Sequence, residues 1–187
     1  MYPVLFRIGG VEITTFGVMV ALGVIAGLWL FGRELARSAL PPEALNAAIV
    51  AVLGGLVGAK LLYVAEHIGE APAFELLTSR GGMSWFGGLA GGLLAGVGML
   101  VRRGWPLVPT LSAAAPAIAL GHALGRVGCF LAGDDYGRPT SLPWGVAFPR
   151  GLPPATVAVH PAQLYEAVLL AALAALLLTP RSHPAEP

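Results

Sequence analysis

The chain has 187 residues, of which 56% are hydrophobic and 11% are charged, and its formal net charge at pH 7 is +1. Soluble domains carry about 25% charged residues, so this chain cannot cover its surface with polar groups, and we expect a lipid bilayer to be its solvent. The near-neutral charge argues against a nucleic-acid partner. The single cysteine, Cys129, excludes an internal disulfide and a cysteine-based zinc site.

Five apolar stretches are predicted to cross the bilayer, at residues 13–31, 45–65, 83–101, 111–131 and 161–178. A short mixed segment, residues 1–12, precedes the first of them and has turn signals at Pro3 and at Gly9-Gly10. It lacks the compact basic region of a signal peptide, and we expect it to lie at the membrane surface. The chain is therefore predicted to be one all-α domain, residues 1–187, folded as a polytopic membrane helical bundle.

The distribution of arginines predicts the orientation of the five spans. After the first, third and fifth spans the arginines lie right at the span ends, namely Arg33, Arg37, Arg102, Arg103 and Arg181. On the other side they are spread over longer loops, namely Arg7, Arg80, Arg138 and Arg150. By the positive-inside rule the N-terminus is outside and the C-terminus is cytoplasmic. The loops at 66–80 and 133–159 then face outward, and residues 179–187 form a disordered tail.

Small residues recur at four-residue spacing in three of the spans. They are Gly23 with Gly27, Gly54 with Gly58, and Gly88 with Gly92 and Gly96. This spacing lets two helix backbones approach closely in lipid. We expect these contacts to join helices of one chain, and a dimer interface is the alternative.

Arg126 lies inside the fourth predicted span, where a charged side chain costs about 2.5–3.5 kcal/mol on insertion scales. His122 precedes it by four residues, so both project from one helix face, and Gly125 and Gly128 leave room nearby. A guanidinium fork matches phosphate oxygens, which favours an anionic lipid headgroup as the ligand. The alternative is that Arg126 only pairs with an internal carboxylate such as Glu166.

Three further groups within the predicted spans have two interpretations each. Lys60 either joins Arg126 in a cationic pocket or extends its charge to the membrane interface. His122 either accepts a proton near neutral pH or makes a buried hydrogen bond between helices. Cys129 is expected to be a small core residue rather than a nucleophile.

Polar residues flank the loop between the fourth and fifth spans. Asp134 and Asp135 lie in a segment of turn composition, but two adjacent carboxylates without further ligands are weak support for a metal. No metal site is predicted there, and helix capping and an ion pair with Arg138 are expected instead. Gln163 and Glu166 share a face in the first two turns of the fifth span. A carboxylate at that depth needs a cationic partner, and Arg126 is at a suitable depth to be this partner.

Five ordered motifs extend over nearly the whole chain. The most specific are Gly125-Arg-Val-Gly-Cys-Phe-Leu-Ala-Gly-Asp-Asp-Tyr-Gly-Arg138 and His160-Pro-Ala-Gln-Leu-Tyr-Glu166. The others are Gly81-Gly-Met-Ser-Trp-Phe-Gly-Gly88, Thr15-Phe-Gly-Val-Met19 and Gly58-Ala-Lys-Leu-Leu-Tyr63. Together they resemble the prolipoprotein diacylglyceryl transferase family.

This resemblance implies a multi-pass enzyme of the bacterial inner membrane. Such an enzyme moves the diacylglyceryl group of phosphatidylglycerol to the thiol of a lipobox cysteine in a prolipoprotein, and glycerol phosphate leaves. The implied partners are these two substrates and membrane lipid, without a cofactor. The implied headgroup site consists of Arg126 with Lys60, Gly125, Gly128, Gly137 and Arg138. The predicted catalytic residues are His122, Arg126 and Glu166, with His160, Gln163 and Tyr165 in support.

The chain departs from the family pattern at five positions, with Phe16 for a tyrosine, Lys60 for an arginine, Phe86 for a histidine, Ser112 for an aspartate and Cys129 for an asparagine. The family pattern also continues with two further spans and another functional arginine, and we expect this chain to end before them. Because phenylalanine cannot accept a proton, His122 is the predicted base. The alternative function is a non-catalytic membrane protein or subunit that binds anionic phospholipid. A transporter is disfavoured because no inverted repeat is evident.

Overall fold

A computed structural model describes residues 3–9, 11–79 and 82–179 of the chain. This part is mostly helical, and a one-turn 3-10 helix at Pro42–Ala44 leads into the second α-helix. Apart from Thr179, the predicted tail lies outside the described residues. The α-helices are α1 (Thr15–Arg37), α2 (Leu45–Glu66), α3 (Ala73–Thr78), α4 (Trp85–Arg103), α5 (Leu107–Ala132) and α6 (Ala162–Leu178).

Four helical segments in the described part are long and apolar enough to cross a membrane, namely Thr15–Arg37, Pro42–Glu66, Trp85–Arg103 and Leu107–Ala132. They correspond to the first four predicted spans, so the chain has the helices of a multi-pass membrane protein. The fifth predicted span coincides with α6, which is apolar but has 17 residues. A helix of that length extends about 26 Å. The count of five spans and the orientation stay predictions.

Two short antiparallel hairpins accompany the helices, and the prediction of an all-α chain does not include them. In the first, β1 (Val4–Ile8) pairs with β2 (Val11–Thr14), with Ile8 opposite Val11. This hairpin occupies the segment predicted to lie at the membrane surface. In the second, β3 (Val146–Phe148) pairs with β4 (Ala155–Val159) inside the loop at 133–159.

The chain divides into two compact units, one of Met1–Leu30 with Ala114–Pro187 and one of Phe31–Ala113. In the second unit, α2 packs on α4 through glycines. A Cβ atom added at Gly58 would overlap the carbonyl oxygen of Gly87, and one added at Gly91 would overlap that of Gly54. Because the backbones touch, these positions exclude larger residues. The predicted close packing between helices of one chain is confirmed here.

In the first unit, α1 packs on α5 in the same way. A Cβ atom added at Gly23 would lie 2.8 Å from the carbonyl oxygen of Gly121. One added at Gly27 would lie 3.3 Å from the carbonyl oxygen of Ala117. The two glycines on α1 therefore let this helix approach closely the part of α5 that precedes Arg126.

The segment between α5 and α6 folds around Phe148, which is completely buried. The ring of Tyr136 stacks on Phe148 with centroids 5.2 Å apart, and its hydroxyl donates a hydrogen bond of 2.5 Å to the carbonyl oxygen of Pro153. Phe130, near the end of α5, meets Phe148 edge-on at 5.7 Å. This aromatic cluster fixes the turn that follows α5 against the second hairpin, and so positions the residues beside Arg126.

Candidate functional site

Arg126 lies on α5 and has 13% of its side chain exposed. Its Nη1 donates a hydrogen bond of 3.0 Å to Oδ2 of Asp135. Its Nε lies 2.8 Å from Oε2 of Glu166 on α6, an ion pair outside hydrogen-bond geometry. The pair with Glu166, which the sequence left as an alternative, is therefore present. In the described part of the chain Nη2 makes no hydrogen bond and no ion pair, so its two N–H groups have no protein partner there.

The turn that carries Asp135 is held by backbone contacts. Gly133, with φ of +83°, ends α5 by donating its N–H to the carbonyl oxygen of Cys129 at 2.8 Å. The side-chain amide of Gln163, which is completely buried, donates to the carbonyl oxygen of Asp134. Asp135 has φ of +52°, in the left-handed region that Asp and Asn tolerate better than most residues. This conformation returns its carboxylate to the arginine on α5.

The predicted ion pair between an aspartate of this turn and Arg138 is wrong. Among the described residues, Asp135 pairs with Arg126 instead, and the side chain of Arg138 is exposed without an ion pair. The backbone conformation at Asp135 is the physical reason, because it directs the carboxylate back to α5. Arg138 contributes through its carbonyl oxygen, which accepts the N–H of His160 at 3.0 Å, while Gly137 donates its N–H to the carbonyl oxygen of His160 at 2.9 Å.

Cys129 and Asp134 form the buried side of this site. Cys129 is 8% exposed, as expected for a core residue, and its Sγ lies 3.6 Å from Nη1 of Arg126. Burial raises the pKa of Asp134 above its ordinary value of 3.8, and the charge of Asp135 acts in the same direction. The thiol of Cys129 and the charge of Arg126 oppose this shift of the Asp134 pKa. Oδ1 of Asp134 is buried without a hydrogen-bond partner among the described residues.

Three of these groups lie close enough to share a cation. Sγ of Cys129 and carboxylate oxygens of Asp134 and Asp135 are all within 4.8 Å of one another. The guanidinium of Arg126 already pairs with one of the carboxylates, and its positive charge repels a metal ion. We therefore treat the group as the surroundings of Arg126 and assign no metal to it.

A second polar group lies where the loop meets α6. Nε1 of Trp144 donates to the hydroxyl oxygen of Tyr165 at 2.8 Å, and that oxygen is 3.2 Å from Nδ1 of His160. These contacts tie the loop to the start of α6, from which Gln163 reaches the turn beside Arg126 and Glu166, one turn further on, reaches Arg126 itself. Of the three residues predicted to support the site, Gln163 contacts the turn that carries Asp135, and His160 and Tyr165 contact each other. Their supporting role stays a prediction.

Other predicted site residues on α5 have different surroundings. The side chain of His122 is exposed, and the buried hydrogen bond considered for it is absent from the described part of the chain. A Cβ atom added at Gly125 would meet nothing within 4 Å, so the space beside it is open. A Cβ atom added at Gly128 would lie 2.9 Å from Cβ of Met19 on α1, so Gly128 serves helix packing.

Lys60 belongs to the second unit, where it braces the connector before α4. Its Nζ donates to the carbonyl oxygen and to Oγ of Ser79, at 2.7 and 2.9 Å, and to the carbonyl oxygen of Gly82 at 3.3 Å. It also lies 5.3 Å from the ring centroid of Tyr63. Phe86, in the first turn of α4, is 70% exposed. The predicted place of Lys60 in a headgroup site stays a prediction.

Residues 3–186 match the family model described as prolipoprotein diacylglyceryl transferase. The chain belongs to this family. A phosphatidylglycerol–prolipoprotein diacylglyceryl transferase of Clostridium tetani is 36% identical over 184 residues, which cover 95% of this chain and 73% of that protein. Proteins of the same name from Geobacter sulfurreducens and Rhizobium meliloti are 39% and 35% identical, and each match covers 89% of this chain.

The resemblance noted in the motifs is confirmed by this membership in the diacylglyceryl transferase family. The chain spans 73%, 66% and 63% of the lengths of the three relatives, respectively. These relatives are named as transferases that act on phosphatidylglycerol and prolipoprotein. The family assignment therefore rests on similarity along nearly all of this chain and on part of each relative.

Asp135 lies beside Arg126, as Cys129 and Asp134 do, and was not predicted from sequence as a site residue. The composition of the segment indicated a turn, and the arginine stands nine residues earlier. Which of two adjacent aspartates turns back depends on the left-handed backbone at Asp135. Motif spacing carries no information about that choice, although aspartate is among the residues that tolerate this conformation.

Proposed function

We propose that this chain is a transferase of the bacterial inner membrane that moves the diacylglyceryl group of phosphatidylglycerol to the lipobox cysteine thiol of a prolipoprotein. The observation that carries the proposal is the state of Arg126, a mostly buried guanidinium with two carboxylate partners and an Nη2 that no described residue engages. A purely structural arginine would be expected to use its whole fork within the protein. Family membership supplies the identity of the group that is transferred.

In the proposed reaction the cysteine sulfur forms a bond to the terminal carbon of the diacylglyceryl group. The bond between that carbon and the phosphate oxygen breaks, and its electron pair leaves with glycerol phosphate. Negative charge therefore grows on the phosphate as the bond breaks. Arg126 is placed to neutralise this charge, and in a site poor in water such an interaction is stronger than in solution.

The thiol proton goes to a base, because the thiolate is the nucleophilic form. We assign this role to His122, which stands one helical turn before Arg126 on α5 and has an exposed ring without a partner among the described residues. Gly125 lies between them, and the open space at its Cα gives room for the reacting groups. Glu166 acts on the guanidinium, which it orients through Nε.

The remaining predicted residues have supporting roles in this proposal. Gln163 and the backbone of Gly137 and Arg138 hold the turn of Asp135, and His160 and Tyr165 hold the start of α6. Gly128 lets α1 approach α5. Lys60 is proposed to act at the membrane interface near the lipid headgroups.

We further propose five spans, with the N-terminus outside and the C-terminus in the cytoplasm. The fourth span then ends at the outer surface, and Arg126 lies six residues before the end of α5, or about 9 Å along the helix axis. That depth suits a phosphate group in the outer leaflet. The loop at 133–159 would face outward, where a translocated prolipoprotein presents its cysteine.

The test is a transfer assay with the purified chain, phosphatidylglycerol and a lipobox peptide. We expect release of glycerol phosphate together with a mass increase of the peptide that equals one diacylglyceryl group. A peptide with serine in place of its cysteine is the matched substrate control and should stay unmodified. Absence of both products, while a full-length relative is active under the same conditions, would contradict the proposal.

A second candidate is binding of phosphatidylglycerol without turnover. It is favoured by Phe86, which stands where the resemblance leads one to expect a histidine and cannot transfer a proton. This candidate predicts that the chain retains phosphatidylglycerol over phosphatidylcholine in an Arg126-dependent way and leaves the peptide unmodified. The same assay with a lipid-retention measurement decides between the two.

A further inference from the structure

The guanidinium fork of Arg126 is only partly available in this structure. Nε is paired with Glu166 and Nη1 with Asp135, which leaves Nη2 as the one nitrogen without a described partner. A phosphodiester bound in the favoured bidentate way needs two neighbouring guanidinium nitrogens. Nη1 has two N–H groups, and both have partners, Oδ2 of Asp135 at 3.0 Å and Sγ of Cys129 at 3.6 Å. Because Cys129 is buried, release of a carboxylate is the way for a phosphate to take a pair of nitrogens.

Asp135 is the carboxylate that can leave with the smaller change. Its side chain is 67% exposed, against 50% for Glu166. The backbone on both sides of Asp135 is held, by Gln163 at the carbonyl of Asp134 and by His160 at Gly137, so a rotation of the side chain alone releases Nη1. Glu166 holds Nε, which lies away from the Nη1–Nη2 edge.

The balance of charges around Arg126 also favours the departure of Asp135. The groups around the guanidinium of Arg126 are Cys129 on α5, Asp134 and Asp135 in the turn, and Glu166 on α6. The negative charges of the Asp135 and Glu166 carboxylates together exceed the single positive charge of Arg126. An incoming phosphate is therefore repelled at close range. Removing Asp135 from Nη1 reduces this repulsion and supplies the missing nitrogen in one movement.

We propose that Asp135 is a displaceable occupant of the phosphate position, pairing with Nη1 of Arg126 when no lipid is bound and giving up that nitrogen to an anionic headgroup. The inference rests on the proposed binding of phosphatidylglycerol at Arg126 and adds a specificity-determining residue to it. Only a ligand whose phosphate outcompetes the carboxylate occupies the fork. Asp135 thus weakens binding of every lipid and excludes those whose phosphate cannot displace its carboxylate from Nη1.

The experiment measures binding of short-chain phosphatidylglycerol to the purified chain in phosphatidylcholine nanodiscs by calorimetry. In Asp135→Asn the side chain keeps its shape and tolerates the left-handed backbone, but it no longer carries the competing charge. We expect its dissociation constant to fall about two- to fivefold, the range implied by loss of an exposed ion pair. Asp135→Gly, which also accepts φ of +52°, should show the same gain.

Two further variants make the result specific. Glu70→Gln removes one exposed carboxylate from the second unit and should leave the dissociation constant unchanged. Arg126→Ala should lose binding, and if it binds as the wild type does, the proposed headgroup site itself is wrong. Unchanged or weaker binding by folded Asp135→Asn, with Arg126→Ala still deficient, overturns the displacement role alone, because a purely positioning aspartate gives no gain.

Discussion

Oε2 of Glu166 stands 2.8 Å from Nε of Arg126 and joins the second turn of α6 to α5. The glutamate is half exposed, whereas the guanidinium is mostly buried. Because an unpaired charge in an apolar helix is unfavourable, this contact both stabilises the guanidinium and orients it. Because the two residues lie in different helices, the pair links α5 to α6 within the first unit.

A double-mutant cycle tests this link. We expect Arg126→Ala and Glu166→Ala to be non-additive, with a coupling of about 0.5–1 kcal/mol in the free energy of unfolding, the upper part of the range for exposed pairs, because Arg126 is mostly buried. The measurement is chemical unfolding in detergent, with Arg150→Ala and Glu166→Ala as the control cycle because Arg150 is exposed and has no described ion pair. Additive losses in both cycles would contradict a functional pairing.

Substitution of His122 should affect turnover more than lipid binding. We expect His122→Gln to lower the rate of peptide modification by about 10²–10⁴, the usual contribution of a general base. The Michaelis constant for phosphatidylglycerol should change little, because His122 makes no described contact with the guanidinium or its partners. His67→Gln is the matched control, since His67 follows the last residue of α2 and its ring contacts Tyr63, through the carbonyl oxygen and the aromatic ring, in the other unit of the chain. Equal losses in the two variants would exclude His122 as the base.

The buried carboxyl of Asp134 predicts a pH effect on stability. Its pKa is raised in the folded chain from 3.8, so the folded state binds the proton more tightly than the unfolded state does. The free energy of unfolding therefore falls as pH rises from the ordinary pKa through the raised one. Asp134→Asn removes this ionisation, so its stability relative to the wild type should increase with pH across that window. Thermal unfolding in detergent, from about pH 4 upward, measures the difference.

In that experiment Asp135→Asn is the comparison, because the neighbouring carboxylate is exposed and paired with Arg126. A difference between Asp134→Asn and the wild type that does not change with pH would show that burial of Asp134 has no ionisation cost. A decrease with rising pH would contradict the sign of the shift.

The glycines where α2 meets α4 predict that the effect of one added methyl group on the free energy of unfolding depends on its position. Gly58→Ala forces Cβ into the carbonyl of Gly87, and overpacking of this kind costs about 1–3 kcal/mol. Gly98→Ala on α4 meets nothing within 4 Å and should be neutral or slightly stabilising, because alanine favours the helix. Melting temperatures of the two variants measure this contrast. Equal melting temperatures would disprove the backbone contact.

The four long apolar helices and the glycine contacts between helices were largely predictable from sequence, because hydropathy and glycine spacing depend on local composition. The apolar stretch at 45–65 became α2, and Gly54 and Gly58 meet α4 as their spacing indicated. The pair of Arg126 with Glu166 was foreseeable for a similar reason, since two opposite charges in apolar helices have few other partners.

The details around Arg126 were not predictable, because they depend on backbone geometry at single residues. Asp135 reaches the guanidinium through a left-handed φ, and the three-residue strand β3 is too short to show an alternating pattern. The first hairpin did have a signal, since Gly9-Gly10 separates two apolar runs, and the all-α prediction overlooked it.

The most direct test of the central claim uses a bacterial strain depleted of its own diacylglyceryl transferase. Expression of this chain should restore lipidation of prolipoproteins, measured as incorporation of labelled lipid. Arg150→Ala should restore lipidation equally, and Arg126→Ala, at the same level in the membrane, should not. Lipidation by Arg126→Ala at the wild-type rate would contradict the account, because the phosphate would then be bound and neutralised elsewhere.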